Sequence, residues 1–118
     1  DSGMFRPMQL AAVEALNAPK SWYEGMNSVY AGRRSLAFEI MEEIGADARR
    51  DQVGLFLWGK VDGPAKDLCD RILYEAKVFI TPGFIFGTNG ENYVRISLCC
   101  PEEKLAESLE RIKNVKNR

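Results

Sequence analysis

Arg95 is the residue whose type and setting most directly offer chemistry. It stands in a stretch where Val94, Ile96 and Leu98 alternate with Tyr93, Arg95, Ser97 and Cys99, the two-residue period of a strand with two unlike faces. The loop ahead of it carries Pro82, Gly83, Gly87 and Gly90, which let backbone turn tightly and approach a ligand closely. A guanidinium held beside such a loop can capture a planar carboxylate through two parallel hydrogen bonds. The same pattern also fits an edge-strand arginine exposed to water or paired with a glutamate. The three cysteines, Cys69, Cys99 and Cys100, lack CxxC spacing, and the chain has no histidine. That composition argues against structural zinc and against Cys/His nucleophilic pairs. Cys99 and Cys100 read as fillers at a strand end.

The elements that position Arg95 follow from pattern. Pro7 to Leu16 is predicted as a short helix with proline in its first turn, stopped at Asn17-Ala18-Pro19. Ser21-Trp22-Tyr23-Glu24 has the form of a capping box. It predicts a long amphipathic helix whose stripe is Trp22, Met26, Val29, Tyr30, Leu36, Ala37, Ile40, Met41 and Ile44, ended by Gly45. Such a helix is about 35 Å long and stands partly outside its own core unless another domain packs against it. Val53 to Lys60 reads as a buried strand from its apolar run. Asp62-Gly63-Pro64 turns into a helix with the stripe Ala65, Leu68, Cys69, Ile72, Leu73 and Ala76. A short strand is predicted at Val78 to Ile80, a tight turn at Asn89-Gly90, then the Arg95 strand. Pro101-Glu102-Glu103 starts the last helix with negative charge at its positive end, Arg111, Lys113 and Lys116 lie near the other end, and Leu105, Leu109 and Ile112 face inward. This order predicts an α+β fold: a small mixed or antiparallel sheet of about three strands covered by helices, behind a long N-terminal helix.

At 118 residues the chain has room for one domain. Its net charge of −1, with mixed signs, gives no electrostatic case for nucleic acid or an anionic membrane. No apolar run approaches the ~20 residues of a membrane span, and the N-terminus lacks a signal-peptide layout. The start at Asp1 without a methionine reads as a processed or excised piece. Free thiols with mostly apolar neighbours fit a reducing cytoplasm.

The run Val78-Phe79-Ile80-Thr81-Pro82-Gly83, then Phe86-Gly87, then Gly90-Glu91-Asn92-Tyr93-Val94-Arg95-Ile96-Ser97-Leu98 resembles the C-terminal signature of class I/II aminotransferases. These are pyridoxal-phosphate enzymes of fold type I, of which aspartate aminotransferase is an example. The resemblance covers nearly the whole chain. Ser2-Gly3-Met4-Phe5 with Pro7, Gln9, Ala11 and Ala12 is similar to the stretch downstream of the family's cofactor lysine. Tyr30-Ala31-Gly32-Arg33-Arg34 matches a Tyr-x-x-Arg-Arg element on the interdomain helix, with Ser35 where the family usually has Asp. Gly54-Leu55-Phe56-Leu57-Trp58 resembles a small-domain strand with an aromatic residue beside the substrate.

The resemblance implies that Arg95 grips the α-carboxylate of the amino-acid substrate. It makes Trp58 a candidate wall of the side-chain pocket; a core tryptophan between sheet and helix is the other reading of that residue. It places residues 1–20, a loop and short helix, near the domain or dimer interface, and residues 21–118 in the small C-terminal domain. The parent is then a cytoplasmic homodimer exchanging an amino group between an amino acid and a 2-oxo acid. Transamination needs a lysine that holds the cofactor, with an acidic partner and a phosphate cup. In the family these sit in the large domain, upstream. Lys20, Lys60, Lys66, Lys77, Lys104, Lys113 and Lys116 have no Ser-x-Ser-Lys setting, so the isolated piece is expected to be inactive, with no catalytic or cofactor-binding residue of its own. Three alternatives stand beside this reading. They are a ligand-sensing aminotransferase-like domain of a transcription regulator, a lyase or decarboxylase of the same scaffold, and a free-standing interaction module with no exposed apolar flank.

Overall fold

The computed structural model describes residues 3–116. Asp1 and Ser2, which belong to the N-terminal part of the resemblance, and the side chain of Lys116 lie outside the described residues. Two helices open the chain, α1 (Arg6–Leu16) and α2 (Lys20–Glu43). Pro7 occupies the first turn of α1 as expected. The capping box at Ser21 does not form. Pro19, in extended backbone, is the N-cap of α2, and its carbonyl accepts from the Trp22 N–H at 2.9 Å. Proline has already set the helix start, which moves Ser21 inside the first turn. At the other end Gly45 takes φ +74° and donates to Glu42 O, while Ala46 donates to Met41 O. This pair of bonds closes the helix with a left-handed residue that glycine adopts without a Cβ penalty.

Three strands form one antiparallel sheet in the order β1 (Phe56–Lys60), β3 (Tyr93–Ser97), β2 (Thr81–Pro82). The helix α3 (Ala65–Ala76) lies between β1 and β2 in the chain, and α4 (Glu102–Lys116) follows β3. Leu57, Val94 and Ile96 are buried on one sheet face with Ala37, Ile40 and Met41 of α2, Cys69 and Ile72 of α3, and Leu105, Leu109 and Ile112 of α4. The helices thus cover one face only.

Several local expectations are corrected. The predicted strand Val53 to Lys60 is shorter and not fully buried. Gly54 sits at φ +86° and breaks the extended run, and from Phe56 onward burial alternates because the helices cover only one face of the sheet. The strand predicted at Val78 to Ile80 pairs later, at Thr81–Pro82, although Val78 and Ile80 are buried. Asn89-Gly90 is not a two-residue hairpin turn. Residues 83–92 instead make two consecutive 3-10 turns, Gly83–Phe86 and Thr88–Gly90.

The α2 helix has 24 residues, about 36 Å at 1.5 Å per residue. Only its C-terminal half reaches the core, and α1 buries nothing. Trp22 is 55% exposed, and Met26 and Val29 are also exposed. This flank contradicts a free-standing module with a fully covered helix. It also stretches the molecule: the radius of gyration is 17.6 Å, against about 13.5 Å for a compact chain of this length.

Candidate functional site

The face of the sheet opposite the helices carries the site. Trp58 pairs with Arg95 and Lys60 with Tyr93 across β1 and β3, and Thr81 pairs with Arg95 from β2. Because side chains alternate along a strand, Phe56, Trp58 and Lys60 share this open face with Tyr93 and Arg95. Arg95 is therefore on the central strand, which removes the edge-strand reading. Trp58 lies away from the helices, which removes the reading of it as a tryptophan between sheet and helix.

The Arg95 guanidinium is half-buried between two rings, 4.3 Å from the centroid of Phe56 and 4.1 Å from that of Phe86. Its Nε is buried and unpartnered, and Arg95 takes part in none of the ion pairs among the described residues. Two aromatic faces hold the group through cation–π contact while its in-plane N–H donors stay free. Phe86 also meets Trp58 edge-on at 5.4 Å, and Trp58 meets Tyr93 at 6.4 Å. These rings and the glycine loop enclose an open recess of about 580 Å³. The loop is held by a close backbone crossing: a Cβ on Gly83 would stand 2.5 Å from Gly90 O, so glycine serves packing of the loop against itself here.

The sequence reading missed Phe56, Phe86 and Gln52. Phe56 was legible from its two-residue offset to Trp58; Phe86 was not, since it reaches Arg95 from a distant turn, and no periodicity marks the Gln52 loop. The Gln52 side chain donates to Trp58 O and accepts from Trp58 N–H, both at 2.8 Å, fixing β1 where its outer edge has no strand partner. Arg33 and Arg34 tie α2 to the sheet by donating to Leu98 O (3.1 Å) and Gly54 O (2.9 Å).

The sequence profile of the family described as Aminotransferase class I and II matches residues 3–112. The chain belongs to the class I and II aminotransferase family. Among relatives of this aminotransferase chain, an LL-diaminopimelate aminotransferase of Aquifex aeolicus is 42% identical over 98% of the chain. One from Halothermothrix orenii is 36% identical over 97%. The crystal structure of an aromatic aminotransferase from Pyrococcus horikoshii superposes with a TM-score of 0.77 at 33% identity over 92% of the chain. The chain spans about 30% of the length of each of the three.

The described lysines of this chain are surface groups. Lys20, Lys66 and Lys104 are in surface ion pairs with Glu24, Asp70 and Glu107, Lys77 donates to Tyr74 O, and Lys60 and Lys113 are exposed. What the site offers is an oriented, donor-rich cation in an aromatic setting.

Proposed function

We propose that the protein containing this chain is an aminotransferase that moves an amino group between an amino acid and a 2-oxo acid with pyridoxal phosphate, and that this chain supplies the grip on the substrate carboxylate at Arg95. The observation that carries the reading is the stacked, uncommitted guanidinium between Phe56 and Phe86. A carboxylate entering in the plane of the guanidinium receives a two-pronged charge-assisted bond, and the rings prevent that plane from turning. Fixing the carboxylate fixes the direction of the Cα–H bond, which is a positioning contribution. Trp58 closes the recess against the substrate side chain. The cofactor lysine, its acidic partner and the phosphate cup belong to the remaining part of the protein, which also covers the apolar flank of α1 and α2. The chain alone is inactive in this reading, and the parent works as a cytoplasmic homodimer.

Arg95→Lys in the full-length enzyme tests this. Lysine keeps the charge and loses the planar fork and its stacking. The expected result is a fall in kcat/KM of about tenfold or more, about 1.4 kcal/mol. Near-normal kinetics with amino-acid substrates would overturn the assignment. The relatives' names offer diaminopimelate and an aromatic amino acid as candidate donors.

A further inference from the structure

We infer that the amino-acid substrate carries a second charged head at its far end, and that Lys60 and Asp47 receive it. The inference rests on the aminotransferase reading and names the substrate class of that same site.

Lys60 lies two residues beyond Trp58 on β1, opposite Tyr93, which lies two residues before Arg95 on β3. Lys60 therefore shares the open sheet face with Arg95, on the far side of the Trp58–Tyr93 pair. Asp47 faces Lys60 across an antiparallel bridge closed by two backbone bonds of 2.7 and 2.8 Å. Directly opposed residues bring their Cβ atoms to about 5 Å. Lys60 and Asp47 line a second recess, of about 430 Å³, together with Trp58 and Tyr93. Those same two rings also wall the first recess, and Arg95 is paired with Trp58 on the same open face, so a substrate chain held at Arg95 and crossing the Trp58–Tyr93 pair reaches the second recess.

The charges in the second recess are not equivalent. Arg49, also on its wall, is already engaged by both carboxylate oxygens of Asp51. Lys60 and Asp47 form no ion pair, with each other or with another described residue. A cation and an anion stand side by side, each with unspent capacity. That is the complement of an ammonium and a carboxylate on one carbon. Diagonal positions on an antiparallel pair are about 7–8 Å apart, so the two heads need a linker of several carbons. Of the two donors in the relatives' names, diaminopimelate has this form. An aromatic side chain would leave both charges unmatched.

The experiment compares full-length, cofactor-loaded enzyme on LL-diaminopimelate and on L-2-aminoheptanoate, which has the same chain length and no distal head. Lys60→Met and Asp47→Asn should each lower the ratio of the two kcat/KM values about tenfold, mainly through the KM for diaminopimelate, and Lys60→Arg should restore much of the ratio. Arg95→Lys should lower both rates together. An unchanged ratio in Lys60→Met and Asp47→Asn overturns the inference, including the case where only the melting temperature moves. A wild-type preference for 2-aminoheptanoate sinks this inference alone. Failure of the wild-type enzyme on both compounds, with transamination of an aromatic amino acid retained, sinks this inference alone; failure on all three removes the aminotransferase reading and this inference with it.

Discussion

Three arginines show how setting decides what a guanidinium does. Arg33 and Arg34 each commit a donor to a backbone carbonyl and serve as ties between helix and sheet. Arg95 stands between two rings and commits none of its donors to another described residue. Each cation–π contact is worth about 0.5–2 kcal/mol depending on exposure, enough to set the orientation of the group without using its hydrogen-bond donors. The cysteines divide in the same way. Cys69 is 5% exposed, and burial, with a smaller push from Asp70, raises its thiol to about 11. Cys99 is exposed. The thiolate is the reactive form, so a disulfide reagent should label Cys99 quickly in the native state and Cys69 only on unfolding. Cys99→Ser together with Cys100→Ser should remove the fast phase; rapid labelling that survives both and maps to Cys69 would contradict the buried assignment. The shift has a sign for stability. The unfolded thiol ionises first as pH rises, so Cys69 contributes fully below about pH 9 and that contribution is lost as pH approaches 11. Alkaline unfolding of Cys69→Ala should accordingly be less steep than that of the wild type.

Among the elements, those bound by a strong period were legible and those bound by a partner were not. The alternation through Val94, Ile96 and Leu98 and the stripes of α3 and α4 are local properties, and all three elements form where the pattern puts them. The placement of β2 is not local. Val78 and Ile80 alternate with exposed Phe79, yet pairing begins only at Thr81, where β3 is in register. The candidate site was legible at Arg95 and Trp58. Its aromatic clamp was only half legible, since Phe86 reaches Arg95 from a 3-10 turn that no periodicity marks. The glycine loop turns on the Gly83–Gly90 crossing. A methyl group on Gly83 would also meet Tyr93 O at 2.8 Å and Trp58 Cζ3 at 3.0 Å, and backbone oxygens do not yield as a side chain does. Gly83→Ala should cost about 1–3 kcal/mol, the range for overpacking, and should shift the near-ultraviolet circular dichroism of Trp58. Wild-type stability in a denaturant titration would show that the crossing is looser than described.

On the scale of the whole molecule, the fold has two parts with unequal support. The sheet with α3, α4 and the C-terminal half of α2 shares one core. α1 contributes no buried residue and exposes Met8, Leu10 and Leu16; its described side-chain link to α2 is the bond from the Tyr23 hydroxyl to Ala15 O. A helix of 11 residues is below the roughly 12–15 at which isolated helices become even marginal in water. Its persistence therefore depends on surface supplied from outside the described residues, and the relatives, more than three times as long as this chain, have such surface to give. The backbone amides of α1 should exchange with deuterium almost unprotected when the chain is prepared alone, while those of β3 and α4 exchange slowly. In the full-length protein the α1 amides should become protected to a degree approaching those of α2. Equal protection of α1 in the two preparations would mean that this flank is not a docking face for the remainder of the protein, and that the elongation of the molecule needs another cause.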